Sequence, residues 1–146
     1  MTKRTNKSEY TQALDVLSRS LALRDHSRLE LQEKLSRRFA PELVEQVMNE
    51  ADGKGWLLPE RDIAARAALT WQRKLKSRRY IEAQLLKRGL PVPDRDDEAE
   101  LETVRSLVEK KFGLLKCKED RAQAQRYLKY RGFDDRTIRM VLNAKS

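Results

Sequence analysis

The chain has 146 residues, with 32 lysines and arginines against 23 aspartates and glutamates, which gives a formal net charge of +9. This length fits one domain, or a few small repeats that share a core. Five glycines and four prolines exclude collagen-like and linker-like sequences, and a hydrophobic content of 39% argues against a disordered chain. The abundance of leucine, alanine and charged residues favours helices over sheets.

Composition also limits the possible chemistry. No apolar run approaches the ~18 residues that a membrane span needs, and residues 1–7 are polar and basic. One cysteine, Cys117, and one histidine, His26, exclude an internal disulfide and any cluster of histidine or cysteine ligands. The sequence contains no glycine-rich phosphate loop and no Ser/His/Asp set. We therefore expect a cytoplasmic protein that is not an enzyme, with no cofactor, no metal and no membrane contact.

The first part of the chain predicts three short helices. Residues 8–23 carry apolar side chains at helical spacing. Ser27, followed three residues later by Glu30, forms a capping-box pattern that predicts the start of a second helix. Pro41 is typical of the first turn of a third helix, which ends at Gly53.

Two further helices follow. Pro59 suits the start of a long helix whose apolar face runs to Leu75. Residues 78–88 predict another helix that ends at Gly89. The two prolines after Gly89 prevent immediate continuation, so this group lacks a full third helix.

The C-terminal part again predicts three helices. The first begins near Asp94, where acidic residues suit the positive end of the helix dipole, and it ends at Gly113. Residues 119–131 predict the next helix, and Asp134 or Asp135 begins the last one.

Three segments, residues 27–39, 79–90 and 120–133, are alike. Each has an apolar pair four residues apart, a basic end and a closing leucine or phenylalanine. This spacing predicts tandem helical units that bury their faces against one another, and the alternative is an ordinary bundle whose helices are alike by chance. The predicted units are a flexible basic N-terminus at 1–7, a first repeat at 8–55, a second at 56–97 and a third at 98–146.

Four short motifs follow one another between residues 10 and 143. They are Arg24-Asp-His-Ser27 ahead of Glu30-Leu31 and Lys34-Leu35, Gly55-Trp-Leu57 with Arg61, Lys87-Arg-Gly-Leu90 after Ile81 and Leu85, and Tyr127-Leu-Lys-Tyr-Arg-Gly-Phe133. In this order they resemble the signature of the RecX family, bacterial regulators of the RecA recombinase. The chain departs from the family pattern at Leu58-Pro59, where an acidic pair is usual, at Asp62, where an aromatic residue is usual, and at Lys76-Ser77-Arg78, where a Gly-Pro pair is usual.

The resemblance implies an all-α, non-enzymatic protein of tandem three-helix repeats in an elongated, curved array, with the second repeat shortened. It implies binding along the groove of the RecA–single-stranded DNA filament. Such binding inhibits the ATPase, strand exchange and co-protease activities of RecA, and so affects recombination, DNA repair and the SOS response. We expect a monomer, because no apolar face is left over in the helical pattern.

Positive charge is concentrated in residues 61–90, and residues 94–109 are strongly acidic. Basic side chains of this kind either neutralise phosphates or dock on an acidic protein surface, and the alternative is a solvated helix face. The candidate contacts for the filament or for phosphates are Arg37, Arg38, Arg73, Lys74, Lys76, Arg78, Arg79, Lys87, Arg88, Arg131, Arg136 and Arg139.

A basic nucleic-acid-binding protein without a recombinase partner is the alternative function. It is supported by the net charge and by the Gly132-Phe133-Asp134 turn, which resembles that of a helix-turn-helix. His26 is interpreted as a capping or packing residue, and Cys117 as a surface or packing residue. The acidic group at residues 96–100 is interpreted as a helix start rather than a cation site.

Overall fold

The computed structural model describes the backbone of residues 2–143 and the side chains of residues 9–143. All regular secondary structure in this part of the chain is helical, which confirms the predicted all-α fold. The helices are α1 (Thr2–Leu23), α2 (Arg28–Ser36), α3 (Pro41–Gly53), α4 (Glu60–Arg73), α5 (Arg78–Lys87), α6 (Asp97–Lys111), α7 (Lys118–Tyr130) and α8 (Asp135–Leu142).

Several helices begin as local sequence chemistry predicts. The Ser27 hydroxyl oxygen accepts the N–H of Glu30 at 3.1 Å, and the Glu30 carboxylate accepts the N–H of Ser27 at 3.0 Å. The predicted capping box of α2 is therefore confirmed. Pro41 occupies the first turn of α3, also as predicted. The side chains of Asp96 and Asp134 cap α6 and α8.

The end of α4 differs from the prediction. The sequence predicts a helix that continues to Leu75, whereas α4 ends at Arg73. Leu75 has a left-handed backbone with a φ of +61°, and its N–H donates to the carbonyl of Gln72 at 2.9 Å. A residue in this conformation cannot continue a right-handed helix. Leu75 instead lies outside the helix and packs at the edge of a hydrophobic core.

The segment between α5 and α6 contains no helix. Residues 90–96 lack regular structure, so the chain carries only α4 and α5 between its two groups of three helices. Helix α6 begins at Asp97 rather than near Asp94. The reason is that Asp96 is extended and its carboxylate accepts the N–H of Ala99 at 3.0 Å, which places the N-cap two residues later than predicted.

The chain forms two compact units. The first contains the chain up to Ala64 together with Lys87–Pro91, and the second contains Ala65–Leu86 together with the chain from Val92 onward. The predicted repeat boundaries, the flexible N-terminus and the curved array stay predictions.

The first unit has a core between α1, α2 and α3, which pack against one another. Most of its apolar positions are those that helical spacing predicts. The buried residues are Ala13, Leu17, Leu31, Leu35, Val44, Val47, Met48 and Ala51.

The second unit has a core in which α8 packs against both α6 and α7. Phe133 lies in this core and is only 3% exposed. The other buried residues are Val104, Leu107, Val108, Ala124, Leu128, Ile138 and Leu142. None of the helices within the described residues has the length and apolar character that a membrane crossing requires.

Candidate interaction surface

Eight of the twelve predicted contact residues are exposed. None of the eight forms an ion pair with another described residue, so their charges face solvent. These residues are Arg37, Arg38, Arg73, Lys74, Arg79, Lys87, Arg136 and Arg139. The remaining four, Lys76, Arg78, Arg88 and Arg131, are half-buried and have partners within the chain.

The connection between α4 and α5 carries the densest group of exposed cations. Arg73, Lys74 and Arg79 extend into solvent around the left-handed turn at Leu75. The Lys76 ammonium lies 5.0 Å from the centre of the Tyr80 ring, a cation–π contact. This connection therefore presents several positive charges on a short stretch of ordered backbone.

Two aromatic rings support this connection from within the second unit. Trp71 packs edge-on against Tyr80, with ring centres 6.2 Å apart. Trp71 is half-buried. Tyr130, by contrast, is 89% exposed.

Arg78 is held inside the second unit. Its guanidinium lies 3.0 Å from Asp97 and 3.3 Å from Asp134. Its backbone N–H donates to the buried carboxylate of Glu100 at 3.0 Å. Arg78 thus connects the start of α5 to the starts of α6 and α8, and we leave it out of the proposed contact surface.

Arg88 is tied to the start of α2 in the first unit. Its guanidinium donates to the Glu30 carboxylate and to the Asp25 carbonyl, both at 3.0 Å. Its own carbonyl accepts a hydrogen bond from the Ser27 hydroxyl. Gly89 follows with a φ of +71°, so the chain turns directly after this contact.

Arg131 has the matching position in the second unit. Its guanidinium donates to the Leu75 carbonyl at 3.1 Å and to the Tyr127 hydroxyl at 2.9 Å. Gly132 follows with a φ of +97°. Arg88-Gly89 therefore packs at the start of α2, and Arg131-Gly132 packs at the start of α5.

The backbone carbonyls that accept hydrogen bonds from Arg88 and Arg131 have equivalent positions in the sequence. Asp25 lies two residues before Ser27, and Leu75 lies two residues before Ser77. Both serines are buried, and each hydroxyl oxygen accepts a backbone N–H in the first turn of its helix. The similar sequence segments thus form two similar junctions, each a contact between an Arg-Gly pair and the start of another helix.

A glutamate completes each junction. The N–H of Arg28, directly after Ser27, donates to Glu60 at 3.1 Å, as the N–H of Arg78 donates to Glu100. Sequence reasoning missed Glu60 and interpreted Glu100 only as a helix-start acid. The available signal was a glutamate in the first turn of the second helix before each Arg-Gly pair, on α4 for Arg88 and on α6 for Arg131.

The half-buried Glu30 and the buried Glu100 differ in their electrostatics. Burial raises the pKa of Glu30, but hydrogen bonds from Arg24, from the Ser27 N–H and from Arg88 outweigh burial and lower its pKa to about 2. Burial raises the pKa of Glu100, against the opposing effect of the Arg78 N–H. Glu30 is thus a strongly held anion at neutral pH.

Replacing Glu30 with glutamine is expected to reduce stability most at neutral pH. The pKa of Glu30 is lower in the folded protein than the ordinary value of 4.5. Its charge therefore stabilises the fold above that pH, and the contribution is lost as the pH falls toward 2. Urea unfolding of both proteins should show a difference on the order of 1–2 kcal/mol at pH 7 that shrinks below pH 4.5. A difference that stays constant down to pH 3 would contradict this assignment.

His26 and Cys117 are the remaining candidate groups. His26 is buried, and its Nδ1 lies 3.0 Å from the carbonyl of Arg24, which agrees with a packing residue. Burial lowers the pKa of His26. Cys117 is exposed. Among the described residues, no group of His, Cys, Asp and Glu is arranged to hold a metal ion.

Comparison with solved structures identifies the fold. RecX from Lactobacillus salivarius matches with a TM-score of 0.77 over 94% of this chain and 96% of that chain, at 16% sequence identity. A second crystal structure, of regulatory protein RecX, matches with a TM-score of 0.73 over 93% of this chain and 72% of that one, at 18% identity. No protein-family model and no curated protein sequence matches the chain. The chain therefore has the RecX fold over nearly its whole length.

Proposed function

We propose that this protein is a negative regulator of the RecA recombinase. In this proposal it binds the RecA–single-stranded DNA filament as a cytoplasmic monomer and inhibits ATP hydrolysis, strand exchange and co-protease activity. The observation that carries the proposal is the RecX fold over 94% of the chain, together with the sequence motifs that resemble that family. The exposed positive charges of the second unit add support.

The proposed filament contact is the exposed part of the α4–α5 connection, with Arg73, Lys74 and Arg79 as its charges. Beside Arg73 lies an open groove of about 280 Å³ between α4 and α6, where Leu69 is 45% exposed. Apolar surface next to unpaired cations suits an acidic protein surface better than a phosphate backbone alone. Arg37, Arg38, Lys87, Arg136 and Arg139 are the further candidate contacts.

The test measures ATP hydrolysis by RecA filaments assembled on single-stranded DNA while this protein is titrated in. We expect inhibition at or below one molecule per RecA subunit. The triple variant Arg73→Ala, Lys74→Ala, Arg79→Ala should need about tenfold more protein or greater, because three steering charges are lost while the fold is retained.

The control removes two exposed positive charges elsewhere, with Arg19→Ala on α1, where Arg19 pairs with Asp15 at 3.0 Å, and Lys34→Ala on α2. We expect the control to inhibit as the unmodified protein does. No inhibition by the unmodified protein would refute the proposed function, and equal inhibition by the triple variant would move the contact away from this connection.

Nucleic-acid binding without a recombinase is the second candidate function. It is favoured by the exposed cations that form no ion pair within the described chain. If this candidate is correct, binding to single-stranded DNA alone is tight and falls steeply with salt, while the ATPase of RecA filaments is unaffected.

A further inference from the structure

The outer face of α8 is basic. Arg136, Arg139, Met140 and Asn143 recur at i, i+3, i+4 and i+7, and all four are exposed. Neither arginine forms an ion pair with another described residue. The opposite face of the same helix is buried, so packing of α8 against α6 and α7 fixes which residues point outward.

The connection before α8 has the length of a helix-turn-helix turn. Four residues, from Arg131 to Asp134, join α7 to α8. They include Gly132 in a left-handed conformation and Phe133 in the core. A turn of this length with a glycine is the usual connection in DNA-binding helix-turn-helix units, in which the second helix enters the major groove.

Two acidic residues at the start of α8 are neutralised within the unit. Asp134 lies 3.3 Å from the Arg78 guanidinium, and Asp135 lies 3.5 Å from the Lys129 ammonium. Their charges therefore do not cancel those of Arg136 and Arg139. A polyanion that approaches this face meets two free guanidiniums.

The N-terminus of α7 carries three basic residues beside the acidic Glu119 and Asp120, so its net charge is weakly positive. Lys116, Lys118 and Arg121 are exposed there, and the N-cap residue Cys117 makes no side-chain hydrogen bond to the helix. In helix-turn-helix proteins the first helix of the motif crosses the DNA backbone. The charges around the α7 start fit that role.

Helix α3 provides an internal comparison. Like α8, it follows a four-residue connection and packs against the two helices before it. When the N-cap residues of α3 and α8 are aligned, the outer residues of α3 are Glu42, Glu45, Gln46 and Asn49. The fold therefore does not require arginine on this face, and the positive charge of α8 needs another explanation.

We propose that the α6–α8 unit binds double-stranded DNA, with α8 in the major groove and the start of α7 on the phosphate backbone. Arg136 and Arg139 provide bidentate donors that fit guanine edges. Asn143 fits an adenine edge, and Met140 offers apolar contact to a thymine methyl group. This activity is independent of the proposed action on RecA.

The test uses the full chain without any recombinase. Fluorescence anisotropy measures binding to a labelled mixed-sequence duplex of about 20 base pairs and to one of its single strands. Arg136→Ala with Arg139→Ala should weaken duplex binding about tenfold or more and lower the magnitude of the salt slope by about two. The control is the Arg19→Ala, Lys34→Ala variant, which removes the Asp15-paired Arg19 and the exposed Lys34 and should bind within about twofold of the unmodified protein.

Competition with groove-specific DNA ligands shows which groove the protein occupies. Methyl green, a major-groove ligand, should displace the protein from the duplex, and netropsin, a minor-groove ligand, should not. Three results would each overturn the proposal: no duplex binding at low salt, an unchanged affinity of the α8 variant, or an equal loss on duplex and single strand without competition by methyl green. The last result would indicate contact with phosphates only. Circular dichroism of the variant confirms that its helical content is unchanged.

Discussion

Replacing Leu85 with alanine is expected to lower the free energy of unfolding by about 2–5 kcal/mol. Leu85 lies on α5, its side chain is 0% exposed, and it is among the largest fully buried side chains of the described chain. Removing most of the side chain loses the transfer free energy of the deleted carbons and leaves a cavity that its neighbours fill only in part. Urea denaturation followed by circular dichroism at 222 nm measures the change.

The adjacent residue supplies the control. Leu86 follows directly on the same helix but is 67% exposed, so Leu86→Ala should change the free energy of unfolding by less than about 0.5 kcal/mol. Both substitutions replace leucine with the better helix former, so helix propensity affects them equally. Equal changes for the two variants would show that the apolar face of α5 is assigned wrongly.

Features that depend on neighbours in sequence could be predicted. The Ser27–Glu30 capping box needs only residues three apart, and the buried pair Ile81 and Leu85 needs only helical spacing. The short middle group also followed from local rules, since proline cannot continue a helix.

Features that depend on distant partners could not be predicted. Arg88 binds Glu30, which lies 58 residues earlier, and Arg131 binds the carbonyl of Leu75, 56 residues earlier. The sequence showed these arginines only as basic residues at helix ends, so they were grouped with the exposed cations. The left-handed turn at Leu75 was missed for the same reason, because a non-glycine residue with positive φ is sterically disfavoured and carries no local signal.

The two junctions separate the basic residues that make internal hydrogen bonds from those that do not. Arg88 and Arg131 satisfy carbonyls beside helix starts, whereas Arg73, Lys74 and Arg79 satisfy nothing within the described chain. A charged side chain that makes no hydrogen bond or ion pair within the described chain is the better candidate for contact with a partner, because binding then breaks no internal interaction.

Replacing Gly89 with alanine is the second substitution with a large expected effect. A Cβ atom at this position would lie 2.7 Å from both the Cβ and a Cδ of Leu29. The residue also has a φ of +71°, which alanine adopts only at a cost. Together, strain and overpacking should reduce the free energy of unfolding by about 2–4 kcal/mol.

Gly55→Ala separates the two causes. Gly55 has a nearly identical φ of +69°, but nothing lies within 4 Å of a Cβ built there. Gly55→Ala should therefore cost only the conformational strain, about 1 kcal/mol. Gly132→Ala should fall between the two, because its nearest neighbour is the Ser77 hydroxyl at 3.1 Å.

Chemical denaturation of the three variants at pH 7 tests this order. A cost for Gly89→Ala no greater than that for Gly55→Ala would mean that Leu29 is not packed against the turn. The Gly89 backbone packs closely against Leu29, and the neighbouring Arg88 carbonyl accepts a hydrogen bond from the Ser27 hydroxyl. That result would therefore also count against the contact of Arg88 with the start of α2. The larger cost at Gly89 is expected because glycine is required there by contact as well as by conformation.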